Sequence, residues 1–375
     1  MPRPIRVMQV MGYMGGGGVE ATIMNHYRLI DHTRLQFDFV IQDNSPVVPE
    51  EEITSLGGHI YRIPAIKNLP QYMHDLHQLI TRTRPNIVHS NVNALSVIPL
   101  GVAKHAGVPI RIAHSHSTAN KKELLRTVTK DALRPFSRLN PTELAACGVH
   151  SAQWLFGEKA VKQGRVHYIK NAVDLERFSF NQASREKLRK EFGLSDQFVI
   201  GQVGRFSKQK NQLFSIRVFR ELLSSIPNAV LVFLGIGNTM REAKKLALEL
   251  GIADSVRFVG VRDDVANWYS AFDTLLLPSL YEGLGMVAIE AQSTGLPLLA
   301  SNYVPQEAFV AHDLIHVLSL KDSPRVWANQ IAGMASNPLH REDRHDQLSH
   351  AGYDIHQSAH DLQDWYLQLL KKHQS

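Results

Sequence analysis

The sequence predicts an α/β protein built from two domains, and three observations carry that prediction. The chain has 375 residues, whereas a single hydrophobic core rarely grows beyond ~250–300. Short apolar runs alternate with amphipathic stretches, the pattern of a mostly parallel sheet covered by helices. The alternation stops over the polar, charged residues 171–196 and then begins again.

In the first half, strands are expected at 5–11, 37–42, 59–63, 87–90 and 110–114, with helices at 19–30, 71–83 and 96–106. The strands are read from short apolar runs and the helices from the amphipathic stretches between them. The second half predicts strands at 198–203, 230–234, 256–259, 274–278 and 298–300, and helices at 211–225, 239–250 and 286–294. The last stretch, 354–372, reads as an amphipathic helix with Ile355, Ala359, Leu362, Tyr366 and Leu369 on one side. The expected division is therefore an N-terminal domain over 1–170, a linker region over 171–196 and a C-terminal domain over 197–353. Two such domains are expected to leave a cleft between them, with ligands beyond the carboxyl ends of the strands.

Composition narrows the function classes. The formal net charge of +6 suits an anionic partner, either nucleotide or lipid headgroup. No zinc-finger spacing or RNA-binding signature occurs, so no nucleic-acid partner is expected. The single Cys147 has no internal disulfide partner, which fits a reducing cytoplasm. The N-terminus MPRPIRVMQVMGYM lacks a signal-peptide pattern, and the longest apolar window, 94–103, is too short to span a bilayer. The expectation is a cytoplasmic protein, soluble or peripheral on the inner face of the plasma membrane.

Four segments fall where a strand hands over to a loop. GYMGGGGVE, 12–20, follows the first strand; its glycines permit close backbone approach, and the helix start attracts anions. It has neither dinucleotide-fingerprint spacing nor the GK[ST] of a P-loop. GRFSKQKN, 204–211, sets Arg205 and Lys210 ahead of a helix, which makes a diphosphate site or, read alone, an exposed basic turn. LPSLYEGLGMVAIEAQSTGLPLLAS, 277–301, is the most specific segment. Glu282 lies in its loop and Glu290 in the helix that follows. The amides of Leu284, Gly285, Met286 and Val287 fall at the helix start, suited to phosphate oxygens, while a carboxylate suits sugar hydroxyls. RIAHSHS, 111–117, ends a strand with His114 and His116, which are expected to face opposite ways, one inward and one toward the cleft. His356 and His360 are four apart, but no Glu separates them as in HExxH, and no metal site is expected.

The segment EGLGMVAIE fits the E-x7-E pattern of retaining glycosyltransferases with the two-domain GT-B fold. The chain resembles, nearly end to end, the family-four bacterial enzymes of exopolysaccharide and capsule biosynthesis. GGGGVEATIMNHYRLID, QFDFVI, RIAHSHS, ACGVHSAQWLFG, NAVDLERF, GQVGRFSKQKN and AGYDI occur in the family's order. The resemblance implies two Rossmann-like domains facing across a cleft, with the C-terminal helix, 354–375, returning to the N-terminal domain. It implies that Gly17 and Gly18 lie under the donor phosphates and that His116, less readily His114, lies near the transferred sugar. Arg205 and Lys210 would grip the diphosphate, Glu282 the sugar and Glu290 the ribose. Val261 and Arg262 fall where the base is held. The family's usual aromatic after Glu282-Gly283 is Leu284 here, a difference expected to alter preference rather than activity.

The implied reaction moves a hexosyl group from a nucleotide-diphosphate sugar, UDP before GDP, to a saccharide or polyprenyl-diphosphate-linked acceptor, with retention. No D-x-D occurs, so protein cations would take the place of a metal clamp, and no cofactor is expected beyond the co-substrate. Residues 121–138 hold six basic and two acidic side chains. Lys121, Lys122, Arg126, Lys130 and Arg134 could there meet an anionic membrane or the acceptor, or simply cover a solvated helix face. The competing readings are a nucleotide-sugar epimerase of the same architecture and an inactive scaffold of a polysaccharide assembly. A nicotinamide dehydrogenase has the wrong glycine spacing.

Overall fold

The structure, a computed structural model, describes residues 4–16, 18–116 and 132–374. The chain divides into two compact units, Met1–Ala172 with Ile355–Ser375, and Val173–Asp354. Among the described residues the first unit holds seven strands: β1 (Ile5–Gly12), β2 (Leu35–Gln42), β3 (His59–Ile63), β4 (Ile87–Ser90), β5 (Ile110–Ser115), β6 (Glu143–Ala146) and β7 (Val166–Tyr168). Their order is β3-β2-β1-β4-β5-β6-β7, and the pairings are parallel. The second unit holds β8 (Phe198–Val203), β9 (Ala229–Leu234), β10 (Val256–Gly260), β11 (Thr274–Leu277), β12 (Leu298–Ser301) and β13 (Ile315–Leu318), ordered β10-β9-β8-β11-β12-β13 and again parallel.

Parallel sheets need helices on both faces, so central strands are apolar throughout. AVLVFL of β9 and TLLL of β11 are buried at every position. In both sheets the strand order reverses beside the first strand of the unit, at β1/β4 and at β8/β11. Chain connections leave to opposite sides there, which opens a crevice at the carboxyl ends.

The stretch expected as a linker is different in kind. Residues 173–196 belong to the second unit and contain the helix Gln182–Glu191, capped by Asn181 Oδ1, which accepts from the Ser184 amide at 2.8 Å. Leu188 and Leu194 enter the core of that unit. The segment looks polar because its inner face is held by charge: Arg185 and Arg189 both pair with Asp273 at 2.5 Å. The C-terminal helix Ile355–Gln374 packs on the first unit and buries Ile355, Ala359, Leu362, Tyr366 and Leu369. Gln363 Oε1 accepts from the Asp31 amide at 2.7 Å, and Ser358 Oγ meets His26 Nε2 at 2.9 Å.

Gly201 on β8 tests how tightly the second core is filled, because a Cβ there would lie 2.2 Å from the Phe272 ring. Gly201→Ala forces that ring out of place and is expected to cost about 1–3 kcal/mol. Chemical denaturation of the purified variant reads this directly, and an unchanged midpoint would show the core to be looser than drawn.

Candidate active site

In the second unit the site is built on the β8/β11 crevice. β8 ends at Val203, and the loop that follows is pinned from below. Phe206 is fully buried against Phe233, with ring centroids 5.3 Å apart. Its amide donates to the Ile236 carbonyl at 2.9 Å. Gly235 and Gly237 allow this approach, since a Cβ at either would lie 2.3 or 2.2 Å from the carbonyl oxygen of Gly204 or Phe206. Buried Gln202 and Gln212 donate to the carbonyls of Lys210 (2.7 Å) and Arg205 (3.0 Å). The backbone is thus fixed while the Arg205 side chain is exposed and makes no hydrogen bond or ion pair among the described residues.

Lys210, by contrast, is engaged. Its Nζ lies 2.7 Å from Glu282 Oε1, and both side chains are sheltered, at 16% and 7% exposure. Ser279 Oγ donates to the same oxygen at 2.6 Å, and Gln209 Nε2 reaches Oε2 at 3.4 Å. The β8 loop and the β11 loop are further tied by the Leu280 amide, which donates to the Gln209 carbonyl at 2.8 Å. A sheltered ion pair of this sort holds two loops in register, and removing one partner leaves the other charge uncompensated.

Gly285, at φ 90°, turns the chain into the helix Met286–Ser293. The Met286 and Val287 amides open that helix and have no intrahelical acceptor by construction. Leu284 is buried in the core, so only its backbone faces outward. This is the position where the family's usual aromatic is absent. Glu290, one turn on, accepts from the Tyr269 hydroxyl at 2.6 Å. Burial raises the Glu290 pKa above the usual carboxylate range, opposed by the Tyr269 hydrogen bond and the charges of Lys210 and Arg177. Val261 is 68% exposed, while Arg262 forms a two-point contact with Asp264 at 2.8 Å and 2.8 Å.

In the first unit, Gly18 opens the helix Gly18–Leu29, and a Cβ there would meet nothing within 4 Å. The Gly15 amide donates to Glu20 Oε1 at 3.1 Å. Gly17, Lys121, Lys122, Arg126 and Lys130 lie outside the described residues; Arg134 begins the short turn Arg134–Phe136.

His114 and His116 do not face opposite ways. Their ring centroids are 3.7 Å apart. The reason is elementary: side chains alternate along an extended chain, so positions two apart share a face. Both rings are buried, and His116 Nε2 meets Asn91 Oδ1 at 2.9 Å. Burial depresses the pKa of His116 to about 3, helped by the charge of His26. His89 and His114 are lowered in the same direction, chiefly by burial. Sequence reasoning missed Asn91, Gln9, His89 and Tyr366 around these rings, and Ser279, Gln209 and Tyr269 around the two glutamates. Gly235-Ile236-Gly237 at the end of β9 carried a readable signal, a glycine pair directly after a buried strand.

Comparison with known proteins gives these geometries a class. A family model described as glycosyl transferases group 1 matches residues 184–353. A protein of Bacillus subtilis (strain 168) named glycosyltransferase EpsF is 32% identical over 371 residues, covering 96% of either chain. The Escherichia coli UDP-Gal:alpha-D-GlcNAc-diphosphoundecaprenol alpha-1,3-galactosyltransferase is 26% identical over 299 residues, 76% of either chain. Among solved structures, Anabaena Alr3699/HepE in complex with UDP-glucose superposes with a TM-score of 0.72 at 16% identity over 98% of either chain, a likeness of fold. Fold and relatives together define a glycosyltransferase of the GT-B fold. The chain belongs to the family of glycosyl transferases group 1.

The buried imidazoles make the first unit sensitive to acid. A histidine whose folded pKa lies below its unfolded value of 6.5 leaves stability intact above pH 6.5 and removes it as pH falls below. For His116 alone the loss is about 2 kcal/mol by pH 5. Denaturant titrations at pH 7.5 and pH 5 are expected to show that loss, and the slope should flatten in His116→Asn. A pH-independent midpoint would mean that the ring is protonated or accessible.

Proposed function

We propose that the protein is a retaining, family-four hexosyltransferase that uses a nucleotide-diphosphate sugar, with UDP as the expected nucleotide. The acceptor we propose is a saccharide on a polyprenyl diphosphate, in exopolysaccharide or capsule assembly. The observation that carries the donor reading is the sheltered Lys210–Glu282 pair at the carboxyl ends of β8 and β11, with exposed Arg205, unpaired among the described residues, on the same loop as Lys210. The acceptor reading leans on the E. coli relative, whose name specifies a diphosphoundecaprenol-linked acceptor.

When the glycosidic bond to the diphosphate breaks, negative charge gathers on the departing phosphate oxygen and the sugar carbon becomes cation-like. Fixed donors aimed at that oxygen lower the barrier by ~3 kcal/mol each where well placed. In this reading Arg205, Lys210 and the amides of Leu284, Gly285, Met286 and Val287 are those donors, with Gly17 and Gly18 beneath the phosphates. Glu282 orients the sugar and holds Lys210 until the diphosphate arrives. Glu290 accepts from the ribose hydroxyls, and the backbone at Val261 and Arg262 holds the base. His116, neutral, lies at the sugar and does not compete for phosphate. The departing phosphate itself assists the acceptor hydroxyl on the same face, which gives retention.

The basic stretch ending at Arg134, with Phe136 and Leu139 exposed just after it, is the proposed contact with an anionic membrane surface. None of the described helices is long and apolar enough to cross a membrane.

Arg205→Ala is expected to lower kcat ~10²–10³-fold while leaving the melting temperature in place, because the side chain is exposed and makes no hydrogen bond or ion pair among the described residues. Turnover equal to wild type would remove the diphosphate assignment. Since protein cations carry the charge in this scheme, UDP release is expected to persist in excess EDTA; a loss restored by added Mg²⁺ or Mn²⁺ would show that a metal takes part.

A further inference from the structure

Three of the four buried imidazoles in the described part of the first unit, His89, His114 and His116, belong to one chain of hydrogen bonds, and the orientation of the Gln9 amide sets the direction of every bond in it. Tyr366, on the C-terminal helix, is fully buried. Its oxygen lies 3.2 Å from Gln9 Nε2 and 2.6 Å from His89 Nδ1. An amide nitrogen only donates, so the hydroxyl accepts from Gln9 and its own proton goes to His89 Nδ1. His89 then carries its proton on Nε2 and donates to His114 Nδ1 at 3.0 Å. His114 in turn carries its proton on Nε2.

The second branch starts from the same amide. With Gln9 Nε2 committed to Tyr366, Gln9 Oε1 accepts from Asn91 Nδ2 at 2.9 Å. That turns Asn91 Oδ1 toward His116, whose Nε2 must donate to it at 2.9 Å. The Asn91 backbone is fixed as well, its amide donating to the Val10 carbonyl at 2.9 Å. Two atoms are left over: His116 Nδ1 and His114 Nε2 are buried and meet no protein partner among the described residues. An unmet buried polar atom is costly, and it is tolerated where a ligand or water completes it.

We propose that Tyr366 is a positioning residue for His116. Acting through Gln9 and Asn91, its hydroxyl holds the His116 ring as the Nε2–H tautomer and leaves Nδ1 bare. A bare ring nitrogen is a hydrogen-bond acceptor. It takes a hydroxyl of the sugar and has nothing to give a phosphate oxygen, so the relay selects for the glycosyl part of the donor. This inference rests on the placement of His116 at the sugar. The relay also gives a role to the hydroxyl that a helix distant in sequence brings into the core beside Phe37, Leu362 and Leu369.

Tautomers are read directly by long-range ¹H–¹⁵N correlation on the full-length chain labelled at histidine. Wild type is expected to show His89, His114 and His116 as neutral Nε2–H rings. Tyr366→Phe keeps the ring and its packing on Phe37 but removes the hydroxyl. The His89 and His116 signals are expected to shift or broaden into tautomer exchange. In the same variant kcat for UDP release from UDP-galactose or UDP-glucose is expected to fall at least tenfold, with KM within twofold. Gln9→Met keeps the Tyr366–His89 contact but breaks the link from Tyr366 to Asn91, and is expected to disturb His116 more than His89, which keeps the test alive if Tyr366→Phe folds poorly. Phe37→Leu, which loosens the packing on Tyr366 but removes no hydrogen-bonding group of the relay, is expected to lower the melting temperature and leave the tautomers in place. Unchanged tautomers in Tyr366→Phe, or changed tautomers with kcat unaltered, would overturn the proposal. Release of UDP from neither sugar nucleotide by the wild-type chain would instead overturn the donor reading, while the spectra still decide the relay.

Discussion

A parallel sheet has one end where every strand points, and at one pair of strands the connections part to opposite faces. In the second unit that pair is β8 and β11, and Arg205, Lys210, Glu282 and Glu290 are all carried by the segments that leave them. No side chain needs to reach far, because the backbone already brings two loops to one place. The tie between Leu280 and Gln209 and the ion pair between Lys210 and Glu282 fix the loops to each other. The glycines at 235 and 237 let the neighbouring loop close beneath them. Each of these features depends on the strand order, and each would be lost if the reversal fell elsewhere in the sheet.

The two units spend buried polarity differently. In the second, charge is kept and matched: Asp273 between two arginines, Lys210 on Glu282, Arg262 on Asp264. Glu290, bonded to the Tyr269 hydroxyl, and Arg341 are exceptions. Burial lowers the Arg341 pKa to about 9, and its guanidinium donates to the carbonyls of Tyr269, Phe272 and Thr294 and lies over the Phe180 ring. In the first unit Asp38 is matched in the same way by Arg6, but the buried histidine rings are discharged. His89, His114 and His116 have no carboxylate beside them among the described residues, and the neutral form is the one burial favours. A neutral ring can serve as acceptor or donor according to its tautomer, which a charged ring cannot.

How much of this was legible in the sequence follows from the physics of each element. Strands buried on both faces, such as β8 and β9, announce themselves as apolar runs. β6 is the four residues ELAA, and β13 lies at an edge with Val317 exposed, so neither carries a run or an alternation that stands out. The helix Gln182–Glu191 hid behind its arginines, whose partner Asp273 lies more than eighty residues on. Among the site residues, Arg205, Lys210, Glu282 and Glu290 were readable because loops after strands advertise their chemistry locally. Gln9, Asn91 and Tyr366 were not. Their meaning lies in pairings across 82, 277 and 357 residues, and a glutamine in a strand or a tyrosine on an apolar helix face looks like ordinary core until its partner is known.

The same comparison bears on Leu284. In a loop that offers backbone amides, a side chain at this position either points outward, where it can touch a ligand, or inward, where it anchors the loop. Leu284 is 6% exposed and packs in the core with Ala288, Ile289 and Val304. Inward packing holds the helix start rigid, and rigidity is what a row of amides needs if it is to stabilise charge without reorganising as that charge develops. A leucine does this with no polar group to satisfy, whereas a tyrosine would need a partner for its hydroxyl. The departure from the family's aromatic therefore trades a possible side-chain contact for a fixed backbone. The carboxylates of Glu282 and Glu290 are likewise held in place, the first by Lys210 and Ser279 and the second by Tyr269.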